Sequence, residues 1–153
     1  MKIKGIILLI SIFLAFSVLA QEVKTRRYLG IVEVGGGMSV GDYKGGYLLA
    51  DMVFAYKFND NISLGPGVGI RRYWSDEAIV PIVYANFRAN LGYDKYEKFY
   101  PYIQTGLGFP VFKQSIGIAF KNNPVTVELC GEVVPLIGST LFTTFGLNIG
   151  ITF

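Results

Sequence analysis

The chain of 153 residues contains no histidine and one cysteine, Cys130. Hydrolases built on a Ser-His-Asp or Cys-His arrangement need an imidazole base, so this absence excludes them. A zinc site is untenable with one cysteine and no histidine, and an internal disulfide needs two thiols. We therefore expect a protein that is not an enzyme, with no catalytic residue, no metal and no cofactor.

Charged residues are also scarce, at 16% of the chain, against about 25% in an average soluble domain. The chain has 14 basic and 11 acidic residues, and loss of the first 20 residues with Lys2 and Lys4 would reduce the net charge from +3 to +1. So small a basic excess gives no indication of nucleic acid binding.

Long apolar runs are limited to one segment at the start of the chain. Lys2 and Lys4 precede about 16 apolar residues, and Ala20 stands before Gln21 in a small-residue cleavage pattern. A helix that spans a bilayer needs about 20 residues. We therefore predict a cleaved signal peptide over 1–20, with an N-terminal membrane anchor as the alternative.

After Gln21, apolar residues alternate with small or polar residues in runs that are separated by turn signals, and no helical period is found. In the last run, for example, Leu147, Ile149 and Ile151 lie on one face of a strand. Lys113-Gln114 is predicted as the turn between the fifth and sixth runs. The eight predicted strands are 28–40, 47–58, 62–74, 79–91, 100–112, 115–121, 125–133 and 141–153.

This alternation fits two kinds of protein, which differ in where the apolar face points. A soluble lipocalin-like carrier turns that face inward, whereas a membrane barrel turns it toward lipid. A strand of 13 residues such as 28–40, tilted by about 40°, rises roughly 33 Å and clears a lipid core of about 25–30 Å. We therefore predict an all-β fold, an eight-stranded antiparallel up-and-down transmembrane β-barrel over 28–153, after a short lead over 21–27.

Charged side chains on the other face would lie inside such a barrel, where an unpaired charge costs several kcal/mol. Glu128 and Glu132, with Cys130 between them, would suit general acid–base work, but we favour an ion-pair network. The four acids and four bases predicted to form this lumen network are Glu33, Asp51, Lys57, Arg71, Arg88, Lys121, Glu128 and Glu132.

Aromatic residues gather near the ends of the predicted strands, where amphipathic rings favour a membrane interface. Arg72, in the same region, is predicted to point outward, either as a contact to lipid phosphate or as a plain interface anchor. The predicted interface aromatics are Tyr56, Phe58, Tyr73, Trp74, Tyr93 and Phe153.

The final run, LFTTFGLNIGITF, resembles the assembly signal of bacterial outer-membrane barrels, which is apolar at its last and third-last positions. Ile151 and Phe153 match that pattern, whereas Asn148 stands where glycine is usual. Over essentially all of 28–153 the chain resembles small barrels of the OmpA/OmpX type. The stretch YPYIQTGLGF (100–109), the GGG-rich first strand and the Ala20-Gln21 cut make it similar to the outer membrane protein beta-barrel domain group of Bacteroidetes.

This resemblance implies a Gram-negative outer membrane with both termini in the periplasm. The implied partners are outer-membrane lipids, lipopolysaccharide and the barrel assembly machinery. Two functions stay open beside the soluble carrier. One is a non-enzymatic structural or interaction barrel of the cell envelope with a packed, charge-balanced lumen. The other is a narrow porin-like channel or small-ligand transporter, for which eight strands leave little internal space.

Overall fold

A computed structural model of the chain describes residues 27–40, 45–74, 79–92, 98–120, 123–135 and 141–153. The predicted signal peptide, nearly all of the predicted lead, Tyr93 and Lys121 lie outside these residues. No helix within them is long and apolar enough to cross a bilayer. The strands are β1 (Tyr28–Val40), β2 (Gly45–Lys57), β3 (Ile62–Tyr73), β4 (Ile79–Asn90), β5 (Phe99–Phe109), β6 (Phe112–Phe120), β7 (Val125–Pro135) and β8 (Leu141–Thr152).

These strands form a closed antiparallel barrel in which sequence neighbours pair and β1 pairs with β8. The closing ladder begins with Ile31 opposite Thr152. Phe153 continues it, since its N–H donates to the Gly30 carbonyl at 2.8 Å and its carbonyl accepts from the Gly30 N–H at 2.7 Å. The predicted eight-stranded antiparallel all-β barrel is therefore confirmed.

The side chains of each strand alternate between the outer surface and the lumen, because successive residues of a strand point to opposite faces. In β6, Phe112, Ile116 and Ile118 are exposed, whereas Lys113 and Ser115 are buried. The described residues expose 28 large apolar side chains and bury seven charged ones. A lipocalin-like carrier needs the opposite arrangement, so that alternative is wrong.

The turn predicted at Lys113-Gln114 is also wrong, because β5 and β6 are joined at Pro110 and Val111. The Gly108 N–H donates to the Val111 carbonyl at 3.1 Å across this turn. Proline has no N–H for a strand ladder, which makes it the natural point of interruption. Lys113 therefore lies within β6, with its side chain in the lumen.

Two glycines show how the barrel accommodates large rings in a narrow space. On the lumen side, a Cβ at Gly67 would lie 2.5 Å from the Tyr84 ring, so only glycine leaves room for it. On the outer side, the Phe153 ring covers Gly30 in the same way, which seats the last residue of the chain against β1. Glycine within strands commonly marks such close approaches.

The barrel has two ends, which we name by the residues that form them. The terminal mouth is the end at which β1 begins at Tyr28 and β8 ends at Thr152. The far mouth is the end at which β1 finishes at Val40 and β3 finishes at Tyr73. Charged groups in the lumen between these mouths form the candidate site.

Candidate functional site in the barrel lumen

Lys113 is the cation in the lumen with the largest number of acidic partners among the described residues. Its Nζ lies 2.6 Å from Glu33 Oε2, 3.0 Å from Glu128 Oε1 and 3.2 Å from Asp51 Oδ2. The side chain has no exposure to solvent. Removing an ammonium group from water at this depth is tolerable only because carboxylates surround it.

Arg71 holds two further contacts of the same network, both of them bidentate. Its Nη1 and Nη2 donate to the two oxygens of Asp51 at 2.5 and 3.0 Å. Its Nη2 and Nε donate to the two oxygens of Glu132 at 2.5 and 2.9 Å. The planar guanidinium group matches the fork of a carboxylate, which makes such pairs the strong ones. Asp51 thus links Arg71 to Lys113.

Neutral side chains satisfy the remaining carboxylate oxygens. Gln104 Nε2 donates to Glu33 Oε1 at 3.0 Å. Asn148 Nδ2 donates to Glu128 Oε1 at 2.6 Å, and the Tyr102 hydroxyl donates to Glu128 Oε2 at 3.1 Å. Each buried carboxylate named here therefore has at least two partners, as buried charges require.

Several of these contacts join strands on opposite sides of the barrel. In a closed ring of eight strands, β3 faces β7, β2 faces β6 and β1 faces β5. Arg71 with Glu132, Lys113 with Asp51, and Gln104 with Glu33 each cross that diameter. The lumen is therefore bridged by side chains at mid-height.

Arg88 is buried in the same lumen but has different surroundings. Its guanidinium carbon lies 3.6 Å from the centre of the Tyr102 ring, a cation–π contact. Its Nε donates to Asn90 Oδ1 at 3.3 Å. No carboxylate of the described residues forms an ion pair with it. Its Nη1 is buried and has no hydrogen-bond partner in the described part of the chain.

Five of the eight residues predicted for the lumen network are brought together, and all five are buried: Glu33, Asp51, Arg71, Glu128 and Glu132. Arg88 is in the lumen but outside the network. Lys57 is placed wrongly by the prediction, because it lies at the terminal mouth, one-third exposed and 4.0 Å from Asp60. A residue at a strand end reaches water, so burial does not force it to pair. Lys121 lies outside the described residues.

Lys113 is the network residue that the sequence prediction missed. Its signal was present, since Lys113, Ser115, Gly117 and Ala119 alternate with larger residues. Gln114 obscured it, because a polar residue stands on the apolar face of β6. The structure shows why this is tolerated: the Thr105 hydroxyl donates to Gln114 Oε1 at 3.2 Å on the outer surface.

The predicted interface aromatics divide by strand face. Phe58 and Trp74 are exposed on the outer surface near opposite mouths, and Tyr56 stacks edge-on against Phe58 with ring centres 5.2 Å apart. Tyr73 is placed wrongly by the prediction, because it has the parity of Arg71 and points into the lumen. There its ring stacks on Tyr47 at 5.9 Å. Tyr93 lies outside the described residues.

The outward residues at the strand ends keep the faces that the alternation predicts. Arg72 is exposed beside the far mouth, on the opposite face from Arg71. Ile151 and Phe153 are half-buried at the end of the chain, where Phe153 covers Gly30. Their roles in lipid contact and assembly stay predictions.

The chemistry open to this site is limited by how fully its groups are engaged. Glu128 and Glu132 are both buried, and their oxygens are held by Lys113, Asn148, Tyr102 and Arg71. A general acid or base must reach the proton that it transfers, and these carboxylates face partners on several sides. Among the described residues, no cluster of acidic or cysteine side chains is arranged to hold a metal.

Comparison with known proteins identifies the fold and no more. No protein-family model and no curated protein matches the chain. A designed transmembrane β-barrel matches at a TM-score of 0.51 and 11% identity, over 85% of this chain and 98% of the design. Neisserial surface protein A (NspA) matches at a TM-score of 0.59 and 6% identity, over 84% of this chain and 98% of NspA. The predicted similarity to one bacterial phylum stays a prediction.

Proposed function

We propose that this chain is an integral barrel of a bacterial outer membrane, with a closed lumen and without enzymatic activity. In this proposal it has a structural or interaction role in the cell envelope. Both termini face the periplasm. The outer surface contacts membrane lipids, and Arg72 contacts lipopolysaccharide phosphate. The last strand, with Ile151 and Phe153, is read by the barrel assembly machinery.

The outward apolar surface is the observation that carries this proposal. Exposed side chains such as Leu129, Leu147 and Ile116 stand side by side at mid-height on neighbouring strands. Soluble monomers rarely expose contiguous apolar patches beyond a few hundred Å². A closed barrel satisfies its backbone groups internally, which is the condition for crossing lipid. Lipid is therefore the solvent that suits this surface.

The bridged lumen favours a closed barrel over a channel. A water-filled path would have to pass between Arg71 and Glu132, and between Lys113 and Asp51. Both pairs cross the interior directly, and small barrels of eight strands have an interior just wide enough for side chains.

One substitution distinguishes a lipid-facing surface from a water-facing one. Leu129→Arg places a charge at the middle of the apolar surface, and in a membrane barrel we expect a loss of about 2–4 kcal/mol in unfolding free energy. Phe58→Arg, at the terminal mouth, is the matched control and should cost about 0–1 kcal/mol. Unfolding in lipid vesicles, followed by the fluorescence of the single tryptophan Trp74, measures both. Equal and small effects would contradict the membrane assignment.

Cell fractionation tests the location, and a planar bilayer tests the lumen. The protein should appear in the outer-membrane fraction and should change its gel mobility when boiled. Reconstituted wild-type protein should give no conductance steps of reproducible size. Steps that disappear in Lys113→Met would contradict the closed lumen and support the narrow channel.

A further inference from the structure

We propose that the terminal mouth contains a binding site for a phosphate-sized oxyanion, in which Arg88 is the main residue that binds the anion. The site is a cavity of about 70 Å³ that opens at this end of the barrel. Its walls include Arg88, Lys57, Ser63, Asn90 and Thr152. The proposal needs the barrel interior alone and does not depend on which side of a membrane this mouth faces.

Arg88 provides the unused donor that makes this cavity a site. The residue is 2% exposed, yet its buried Nη1 has no hydrogen-bond partner among the described residues. Leaving a buried charged donor unsatisfied costs more free energy than leaving a neutral donor unsatisfied. A ligand that accepts hydrogen bonds would remove this cost, which is why an unpaired buried guanidinium group points to an anion.

Three other groups that line the cavity can donate hydrogen bonds or add positive charge. Thr152 Oγ1 is buried and has no partner in the described ranges, so its hydroxyl can donate to a ligand. Lys57 adds a second positive charge. Its Nζ lies as far as 4.0 Å from the exposed Asp60 carboxylate, and such a contact is weak in water, so this charge is largely free to attract an anion. Ser63, which is buried, also lines the cavity. Two cations and two hydroxyl groups thus line one volume, together with a single carboxylate, that of Asp60, which is 74% exposed and screened by water.

The size and shape of the site favour a tetrahedral oxyanion. A site needs roughly 10–15 Å³ to admit one water, so about 70 Å³ accommodates several waters or one phosphate group. A guanidinium group binds phosphate oxygens through parallel hydrogen bonds, which a monatomic anion cannot match. The shared chemistry is a phosphate, either free in solution or on a lipid headgroup.

The test is an NMR titration of the folded barrel, as residues 21–153 without the predicted signal peptide, in a phosphate-free maltoside detergent. Inorganic phosphate is the probe, and sodium chloride of equal ionic strength is the reference. We expect saturable amide shifts at Ser63, Arg88, Asn90 and Thr152. Arg88→Gln should weaken the affinity by about tenfold or more, because a hydrogen bond from a charged donor is lost.

Lys57→Gln and Lys98→Gln form a matched pair of lysine substitutions. Lys57 lines the cavity, and its replacement should weaken phosphate binding by about twofold to threefold because the site is partly screened by water. Lys98 is exposed just before β5 at the same mouth and does not line the cavity, so its replacement should change nothing. This pair, with Thr152→Val, decides the question if Arg88→Gln does not fold.

Absence of saturable shifts with both inorganic phosphate and an anionic lipid would overturn the site, and so would equal affinities in all variants. Bicelles with and without phosphatidylglycerol then distinguish the two sources of phosphate. If inorganic phosphate produces the shifts without lipid, the ligand is a free anion. If only the anionic lipid produces them, and Arg88→Gln removes them, the ligand is a headgroup. If neither inorganic phosphate nor the anionic lipid produces shifts, both forms of the proposal are contradicted.

Discussion

Arg71 and Arg88 are both buried in the lumen, and they differ in what surrounds them. Arg71 donates to two carboxylates, Asp51 and Glu132, and to the Ile70 carbonyl. Arg88 has one amide oxygen and one aromatic face. Equal burial therefore does not mean equal surroundings: Arg71 joins opposite sides of the lumen, whereas Arg88 keeps donor capacity at the terminal mouth.

The largest expected effect comes from removing the better-paired arginine. Arg71→Met leaves Asp51 and Glu132 buried with fewer partners, and breaking a buried ion pair on one side costs about 3–5 kcal/mol. The free energy of unfolding in guanidinium chloride, followed by Trp74 fluorescence, should fall by that amount. Arg72→Met is the neighbouring control on the outer face and should leave the unfolding free energy nearly unchanged. A small loss in Arg71→Met would mean that the network does not hold the barrel together.

Much of this fold is predictable from sequence because alternation has a direct physical cause. Side chains in a strand point alternately to two faces, so the parity of Glu33, Asp51 or Arg71 within its run predicts an inward position. All three are buried as expected. Parity also predicts the inward position of Tyr73, which shares the face of Arg71, although its place near a strand end suggests an interface.

Partner choice across the lumen is not predictable in the same way. It depends on the stagger of the closed barrel and on the reach of each side chain, which couple residues far apart in sequence. Arg71 and Arg88 both lie on the inward face, and nothing in their local sequence separates one with two carboxylates from one with none. Lys113 was missed for a local reason, because Gln114 interrupts the apolar face beside it.

Tyr102 lies between the ion-pair network and Arg88 at the terminal mouth, and its substitution measures how closely these two regions are coupled. Its hydroxyl donates to Glu128, while its ring makes the cation–π contact with the Arg88 guanidinium group. Tyr102→Phe keeps the ring and removes the hydrogen bond to a charged group, at an expected cost of about 1.5–3 kcal/mol. Chemical denaturation measures the cost. If the regions are independent, phosphate affinity at the terminal mouth should stay within twofold of wild type, and a larger change would show that they act together.

Arg88→Met should cost less than Arg71→Met, although both remove a buried guanidinium group. The lost cation–π contact is worth up to about 2 kcal/mol when desolvated. Removal of an unpaired buried charge offsets part of that loss. We therefore expect a decrease below about 2 kcal/mol in the unfolding free energy. A decrease in unfolding free energy equal to that of Arg71→Met would contradict the difference between the two arginines, because it would mean that Arg88 has structural partners as strong as carboxylates.

Lys57→Met should have the smallest effect on stability and so marks the limit of the lumen network. Lys57 is one-third exposed, and its nearest described carboxylate, on Asp60, is 4.0 Å away and largely in water. Exposed pairs of this kind contribute about 0–1 kcal/mol. The unfolding free energy should therefore change by less than about 1 kcal/mol, and the change should shrink further as salt is raised, because an exposed pair is screened. A loss of several kcal/mol that persists in high salt would place Lys57 in a buried network after all, as the sequence pattern had predicted.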